Sequence, residues 1–184
     1  MSDSNTRVCP VELSGSLDSK LRRLLQNPDK ILAPYLKPGI KVLDVGCGPG
    51  FFSIEIAKMI GDNGKVYSVD LQEGMLNLIR KKIADTELES RIHLIKSEVN
   101  GFNVPEKVDF ILAFYMVHEV PDKDNLFKLL KNTLIENGRF LIVEPKLFHV
   151  SKKEFELTLR KAERAGFKIT NGPKLGFSHS AILY

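Results

Sequence analysis

Between positions 41 and 165, the apolar residues alternate between short continuous runs and stripes of helical spacing. A short run bounded by turn residues is typical of a buried strand, whereas apolar residues that recur every three to four positions indicate an amphipathic helix. The runs predict strands at residues 41–45, 65–70, 91–97, 108–114 and 139–144. The stripes predict helices at residues 51–60, 73–84, 122–134 and 151–165.

The chain ends differently, with two apolar runs and no helical stripe between them. Residues 167–170 and 178–183 predict two strands, and the loop that joins them is too short for a helical crossover. We therefore expect these two strands to pair antiparallel. Together the elements predict an α/β fold, a doubly wound and mostly parallel seven-stranded sheet with an antiparallel C-terminal strand.

Residues 1–36 precede the alternation and form the N-terminal segment of the same domain. Residues 17–26 have helical spacing, and Asn27 followed by Pro28 predicts the start of a second short helix. A length of 184 residues fits one ordinary domain. We therefore expect a single domain over residues 1–184.

Composition and charge argue against several classes of protein. The chain is mildly basic, with a formal net charge of +4, and its Lys and Glu residues are interleaved, so no nucleic-acid partner is expected. Two cysteines, Cys9 and Cys47, are too few for a disulfide framework. No apolar run approaches the ~20 residues that span a bilayer, and the N-terminus lacks the apolar core of a signal peptide. We expect a cytoplasmic protein without membrane contact.

The turn after the first predicted strand is a glycine-rich loop, Asp44-Val45-Gly46-Cys47-Gly48-Pro49-Gly50. Ligands of open α/β sheets bind beyond the carboxyl ends of the strands. Glycines there let a ligand approach the backbone, and the following helix presents free N–H groups. Asp70 ends the second predicted strand, where a carboxylate can accept hydrogen bonds from both hydroxyls of a ribose. The loop and Asp70 together predict a nucleotide site.

The spacing within the loop indicates which kind of nucleotide binds. Dinucleotide enzymes have Gly-x-Gly-x-x-Gly, whereas this chain has Asp-x-Gly-x-Gly-x-Gly and no Gly-Lys-Ser or Gly-Lys-Thr sequence of a P-loop. Asp44 would place a negative charge close to a pyrophosphate, which is unfavourable, but it suits a ligand that carries an ammonium group. The loop therefore disfavours a nicotinamide dehydrogenase.

With these motifs the chain resembles a class I S-adenosylmethionine-dependent methyltransferase. Residues 42–50 are similar to the first motif of that family, residues 66–70 to the second, and residues 108–114 and 130–145 to the stretches around its fourth and fifth strands. His118-Glu119-Val120 is in the style of the ubiquinone-biosynthesis-like, small-molecule branch. The resemblance implies a Rossmann-like methyltransferase fold, S-adenosylmethionine as cofactor and a small-molecule methyl acceptor.

The resemblance also implies roles for individual positions. Gly46 and Gly48 would line the methionine portion of the cofactor, Asp70 would bind the ribose, and Glu98 would lie near the adenine amino group. The family often has Gly-Asp where this chain has Ser97-Glu98, so the adenine contact departs from the family pattern. The predicted cofactor-binding residues are Asp44, Gly46, Cys47, Gly48, Gly50, Asp70, Leu71, Met75, Ser97, Glu98, Val99 and Phe114.

The sequence after the fourth strand limits the methyl acceptor without identifying it. Methyl transfer is an in-line displacement that gains from positioning and from exclusion of water, so no catalytic base is required. Tyr115 and His118 are the candidate catalytic residues, His118 because an imidazole can act as a base near neutral pH. The strand lacks the Asn/Asp-Pro-Pro-Tyr/Phe ending of enzymes that methylate nucleobase or amide nitrogens. The atom that accepts the methyl group can therefore be oxygen, carbon, sulfur or arsenic.

The segments expected around the acceptor provide further candidate residues, and they also allow a second function. Further candidate side chains are Glu119, Glu144 and His149. Residues 1–36 are expected to cover the acceptor, because this segment commonly closes over it in the family. Cys9 in that segment has no partner cysteine nearby, so no metal site is expected. The alternative function is a non-catalytic module that binds S-adenosylmethionine or S-adenosylhomocysteine, favoured by the lack of an insertion after the fifth strand.

Overall fold

A single mixed sheet lies at the centre of the described part of the chain, which covers residues 26–98, 101–146 and 150–184 of the computed structural model. Its strands are β1 (Lys41–Val45), β2 (Lys65–Asp70), β3 (Ile92–Lys96), β4 (Val108–Phe114), β5 (Leu134–Pro145), β6 (Ile169–Asn171) and β7 (Ser178–Leu183). The helices are α1 (Pro28–Leu32), α2 (Phe51–Ile60), α3 (Glu73–Ile83), α4 (Lys123–Thr133) and α5 (Lys152–Arg164), with short 3-10 helices at Glu87–Ser90 and Val117–Glu119.

The strand order is β3-β2-β1-β4-β5-β7-β6. Strands β1 to β5 pair parallel, and β7 pairs antiparallel with both β5 and β6. This confirms the predicted mostly parallel seven-stranded sheet with its antiparallel ending. The chain order reverses between β1 and β4, and such a switch point is where ligands of open α/β sheets bind.

Helices cover both faces of the sheet, which explains the continuous apolar runs. Helices α1, α2 and α3 pack on the face where Val42 and Phe110 are buried. Helices α4 and α5 pack on the other face, against Leu43 and Ile111. A strand that is covered on both sides is apolar at nearly every position rather than at alternate ones, and β4 is buried everywhere except at Asp109.

Most element bounds agree with the hydrophobic pattern. The bounds of α2, β2 and β4 are as predicted, and those of α3, α4, α5 and β3 agree to within one residue. The predicted start of β5 at residue 139 is wrong, because β5 begins at Leu134. Leu134 pairs with Val108, and the register then shifts before Arg139 pairs with Phe110. The residues between them are an irregularity in a strand that starts earlier than its apolar run.

The predicted bounds of β6 are also wrong, because it covers Ile169–Asn171 instead of residues 167–170. The N–H of Phe167 donates to the carbonyl of Ala162 at 3.2 Å. Phe167 is therefore hydrogen-bonded to the C-terminal end of α5 rather than to the sheet. The capping box predicted at the start of α5 is present. The predicted helix at residues 17–26 lies almost wholly outside the described residues. Among the described residues, no helix is both long and apolar enough to cross a membrane.

The carboxyl ends of β1 to β5 define one edge of the sheet, and β7 begins at that same edge because it runs in the opposite direction. Ser178, its first residue, pairs with Pro145 at the end of β5. The glycine-rich loop after β1, Asp70 at the end of β2 and the loop after β4 therefore meet at one place.

Candidate active site

A cavity of about 300 Å³ opens at this edge, between the carboxyl ends of β1, β2 and β4. The predicted residues that line it are Asp44, Gly46, Cys47, Gly48, Asp70, Leu71, Met75, Ser97, Glu98, Phe114 and Tyr115. Gly50 and His118 do not line it. Val99, His149 and Cys9 lie outside the described residues. The fold therefore gathers most of the predicted set around one cavity, and the role of each residue stays a prediction.

Three glycines of the loop have backbone conformations that L side chains rarely adopt, with φ of +67° at Gly46, +53° at Gly48 and +87° at Gly50. A Cβ at Gly46 would lie 2.7 Å from the Cβ of Met116, and a Cβ at Gly50 would lie 2.8 Å from the Cγ1 of Ile79. At Gly48 a Cβ would meet nothing within 4 Å. Gly46 and Gly50 are thus required by packing, whereas Gly48 borders open space that a ligand can fill.

The Asp70 carboxylate joins the loop to the end of β2. Its Oδ2 accepts a hydrogen bond from the N–H of Gly48 at 2.8 Å, and its Oδ1 accepts one from the N–H of Gln72 at 2.9 Å. Burial raises the pKa of Asp70, although backbone hydrogen bonds from Gln72, Gly48 and Leu71 oppose that rise. Each carboxylate oxygen has a second lone pair, so Asp70 has the capacity to accept the two hydroxyls of a ribose as well.

Asp44 and Cys47 are both buried at the cavity wall. The Asp44 carboxylate is 2% exposed and accepts a hydrogen bond from the Oγ of Ser53 in α2 at 2.6 Å. Burial raises the pKa of the Cys47 thiol well above its usual range, and the charges of Asp44 and Asp70 raise it further. Cys47 is therefore protonated at neutral pH and is not a nucleophile, whereas Asp44 supplies a carboxylate next to the glycines.

One end of the cavity is formed by residues that the sequence pattern does not mark. Glu98 and Gly101 pair through backbone hydrogen bonds of 2.8 and 3.1 Å, and Phe102 follows Gly101. Phe102, Asn125 and Leu129 line the cavity together with Glu98. Phe102 belongs to an irregular loop and the other two belong to α4, so neither a motif nor a period identifies them in the sequence.

Four aromatic side chains form another part of the wall. The ring centroids are 5.0 Å apart for Phe51 and Phe52, 4.4 Å for Phe52 and Phe114, and 4.6 Å for Phe114 and Tyr115. All four residues line the cavity, and we call Phe51, Phe52, Phe114 and Tyr115 the aromatic row. Such a surface favours contact with a flat apolar ring.

Tyr115 has a strained backbone at the end of the aromatic row. Its φ is +61°, which is rare for a bulky residue. Its N–H donates to the carbonyl of Val143 at 2.8 Å, and its hydroxyl lies 2.5 Å from the Oγ of Ser178. Residues held in strained conformations cluster at active sites, and these two contacts hold the Tyr115 ring at the cavity.

His118 adjoins the cavity wall in sequence, since Glu119 and Val120 line the cavity while His118 does not. Its Nδ1 lies 2.7 Å from the Oε2 of Glu144. Burial lowers the pKa of His118, but the hydrogen bond and charge of Glu144 and the charge of Glu119 outweigh this effect, so the pKa is raised. The pair fixes the loop after β4, and a role for His118 as a base stays a prediction.

Comparison with known proteins gives one family. The sequence matches the family model described as a methyltransferase domain over residues 36–172. It is similar to the ubiquinone/menaquinone biosynthesis C-methyltransferase UbiE of Shewanella oneidensis, with 27% identity over 141 residues, 76% of this chain and 53% of that protein. The UbiE of Vibrio campbellii is 29% identical over 109 residues, 59% of this chain and 42% of that protein. The chain spans about half the length of the curated relatives that it matches.

Solved structures have the same fold. A SAM-dependent methyltransferase from Aquifex aeolicus superposes with a TM-score of 0.80 and 29% identity, over 96% of this chain and 98% of that one. A TehB-like SAM-dependent methyltransferase from Corynebacterium glutamicum gives a TM-score of 0.71 over 95% of this chain and 97% of that one. Its identity is 17%, so this second likeness concerns the fold alone.

Proposed function

Because the chain belongs to the methyltransferase domain family, we propose that it transfers the methyl group of S-adenosylmethionine to a ring carbon of a reduced quinone. The family model, the curated relatives and the Aquifex structure identify it as a class I S-adenosylmethionine-dependent methyltransferase with S-adenosylmethionine as its cofactor. The acceptor is our proposal. It is supported by the relatives named for ubiquinone and menaquinone biosynthesis and by the aromatic row.

The residues around the cavity fit this cofactor, which when bound supplies an electrophilic methyl group on a sulfonium ion. Asp44 beside the glycines would accept hydrogen bonds from an ammonium group, and the open space at Gly48 would take the amino-acid end. Asp70 would bind the ribose hydroxyls, and Leu71 and Met75 would lie beside the adenine. The backbone of Phe114 would lie near the methionine end.

The aromatic row carries the proposal for the acceptor class. A quinone ring can stack against Phe52 or Tyr115 with its centroid about 4.5–7 Å away, in the arrangement that aromatic pairs prefer. The hydroxyl of Tyr115, which lines the cavity, can form a hydrogen bond with a ring oxygen, and the buried Oγ of Ser178 lies 2.5 Å from that hydroxyl and orients it. Apolar walls also exclude water, which favours an in-line displacement.

Methylation of a ring carbon requires the reduced form of the acceptor. The ionised hydroxyl group of the hydroquinone would activate the ring, and a ring carbon would accept the methyl group that the cofactor supplies, with S-adenosylhomocysteine as the leaving group. The ring carbon then loses its proton and the ring regains its aromaticity. Tyr115, oriented by Ser178, would hold the ring oxygen. His118 is the candidate base for the proton, because Glu144 orients its imidazole beside Glu119 of the cavity wall, although His118 itself does not line the cavity.

A non-catalytic cofactor-binding module is the second candidate function. Only residues 146–151 connect β5 to α5, and this length is too short for an inserted element that would build an acceptor site. Turnover separates the two functions, because a binding module binds S-adenosylmethionine but forms neither S-adenosylhomocysteine nor a methylated product.

We also propose that residues 1–184 form one methyltransferase domain and that the protein is cytoplasmic.

Residues 1–36 are proposed to cover the acceptor site. Within the described part of this segment, Ile31 and Leu32 of α1 join the core cluster that includes Phe51 and Phe52 of the aromatic row. Deletion of residues 1–25 leaves α1 in place and, if the segment covers the acceptor site, should raise the KM for the acceptor without changing the affinity for S-adenosylhomocysteine. Loss of cofactor affinity, or an unchanged KM, would contradict this role.

The test of the acceptor is turnover with a reduced naphthoquinone that lacks one ring methyl group and carries a short side chain. We expect release of S-adenosylhomocysteine together with a product that has gained one methyl group. The matched control is the same compound already methylated at that carbon, which should give neither. Binding of S-adenosylhomocysteine without turnover of any reduced quinone would overturn the proposed acceptor and favour the binding module.

A further inference from the structure

Three buried polar side chains form a hydrogen-bonded chain beneath the glycine-rich loop. The Oγ of Ser68 in β2 donates to the Oγ of Ser53 in α2 at 2.8 Å, and the Oγ of Ser53 donates to the Oδ2 of Asp44 in β1 at 2.6 Å. Both serines are fully buried, and Asp44 is nearly so. Of the three, Asp44 lines the cavity. We call these residues the serine chain.

The register of β1 and β2 brings the serine chain together. Asp44 and Ser68 are direct partners in this parallel pair, so their side chains lie on the same face of the sheet. Ser53 comes from the first turn of α2, which begins directly after Gly50 of the glycine-rich loop. The position of the Ser53 hydroxyl is therefore fixed relative to both the loop and the sheet.

The direction of the hydrogen bonds follows from the chemistry of the groups. An ionised carboxylate accepts hydrogen bonds and donates none, so Ser53 donates to Asp44 and uses its own oxygen to accept from Ser68. A hydroxyl that is polarised by a second donor forms a stronger hydrogen bond. A carboxylate has about four lone-pair sites, so the bond from Ser53 leaves Asp44 with capacity for donors on the cavity side.

We propose that Ser53 and Ser68 are positioning residues, which hold the Asp44 carboxylate ready for the ammonium group of the cofactor. The inference rests on the cofactor and on the proposed role of Asp44, and it does not depend on the acceptor. Without the Ser53 hydroxyl, the buried carboxylate loses a donor that compensates its burial and fixes its orientation. The carboxylate must then be ordered when the cofactor binds, which lowers the affinity.

A purely structural role for the serines is the competing explanation, and two ligands distinguish the roles. S-Adenosylhomocysteine carries the amino-acid group with its ammonium. 5′-Methylthioadenosine has the same adenosine and thioether but lacks that group. A positioning role affects the binding of the first ligand selectively, whereas a general disturbance of the cavity affects both.

The experiment is calorimetric titration of Ser53→Ala with both ligands. We expect the affinity for S-adenosylhomocysteine to fall about tenfold or more, the effect of losing a hydrogen bond to a charged group. The affinity for 5′-methylthioadenosine should stay within about twofold of the wild type. Thr158→Ala is the control, because it removes a buried hydroxyl of α5 that does not line the cavity. It should bind both ligands like the wild type.

A second variant keeps the inference testable if Ser53→Ala does not fold. Ser68→Ala leaves the hydrogen bond from Ser53 to Asp44 in place and should show a smaller loss with the same selectivity. Equal loss for both ligands, or no loss in either variant, would overturn the positioning role. A wild-type protein that binds no S-adenosylhomocysteine would overturn it together with the role of Asp44. Failure to methylate quinones despite normal binding would overturn the proposed acceptor only.

Discussion

The Nδ1 atom of His118 lies 2.7 Å from the Oε2 atom of Glu144, and this contact ties the loop after β4 to the end of β5. Glu144 is 1% exposed and also accepts the backbone N–H groups of Val117 and His118, each at 3.0 Å. With these three hydrogen bonds, the buried carboxylate is satisfied. The loop that carries Tyr115 is therefore fixed by a group that does not itself line the cavity.

Replacement of Glu144 by Gln should lower the pKa of His118. Burial alone would lower the pKa of the imidazole, and the hydrogen bond and charge of Glu144 reverse this. A raised pKa means that the pair stabilises the fold below about pH 6.5, and that this contribution is lost as the pH rises through the raised pKa of His118. Proton NMR titration of the His118 ring measures the effect.

The control for this titration is Glu156→Gln, which removes a charge from the exposed ion pair between Lys152 and Glu156 in α5. It should leave the His118 titration as it is in the wild type. An unchanged pKa of His118 in Glu144→Gln would show that the carboxylate does not hold the imidazole.

Alanine substitutions at Gly48 and Gly50 should have different effects, because one borders open space and the other is packed. Both have positive φ, so each substitution costs about 1–2 kcal/mol of backbone strain. At Gly50 the contact with Ile79 adds about 1–3 kcal/mol of overpacking. Gly48→Ala should fold and lose cofactor affinity, and Gly50→Ala should lose more stability. Urea unfolding and titration with S-adenosylhomocysteine measure the two effects, and normal binding by Gly48→Ala would contradict this account of the loop.

Cofactor affinity should fall on acidification because of Asp70. Burial raises the pKa of this carboxyl, so it becomes protonated at a higher pH than an ordinary Asp, whose pKa is about 3.9. Protonation removes an acceptor for the ribose hydroxyls. Asp70→Asn should weaken binding of S-adenosylhomocysteine by about 1.5–3 kcal/mol and flatten its dependence on acidic pH. Titrations over a pH series measure this. Asp29→Asn, an exposed position in α1, is the control, and a pH dependence that persists in Asp70→Asn would contradict the assignment.

Glu106 should stabilise the fold without affecting the site. Hydrogen bonds from Lys41, Tyr67 and Lys65 lower the pKa of Glu106 to about 2, and Lys41 and Lys65 lie at the amino ends of β1 and β2, away from the cavity. A lowered pKa means that the stabilisation is present above about pH 4.3 and is lost as the pH falls toward the folded pKa. Thermal unfolding of Glu106→Gln should show a lower midpoint than the wild type at neutral pH and no difference near the folded pKa. A difference that stays constant down to that pH, or a loss of cofactor affinity, would contradict this.

The bounds of a helix or strand can be predicted from the sequence where the residues of that element alone determine them. Strands β2 and β4 are apolar runs between turn residues, and helix α2 begins at the glycine-rich loop, so local patterns suffice for all three. The start of β5 depends instead on its partner, because Leu134 joins the sheet by pairing with Val108 across an irregularity. No local pattern in β5 encodes that pairing.

The residues of the site also fall into two groups, those that sequence motifs identify and those that only tertiary contacts bring there. The glycine-rich loop and Asp70 belong to short motifs that can be identified in the sequence, and the fold brings them to one cavity. Phe102, Ser53 and Ser178 carry no motif and reach the site only through tertiary contacts. Tyr115 does line the cavity, but the sequence shows neither its positive φ nor its contacts with β5 and β7.

The position of a transferred label tests the proposed function most directly. The wild type is incubated with S-adenosylmethionine that carries a trideuterated methyl group and with a reduced naphthoquinone that lacks one ring methyl group, and tandem mass spectrometry locates the label in the product. We expect the label on the ring carbon, and far less product from Asp70→Ala, which should bind the cofactor weakly. A label on a ring oxygen, or no labelled product from a wild type that binds S-adenosylhomocysteine, would contradict methylation of the ring carbon.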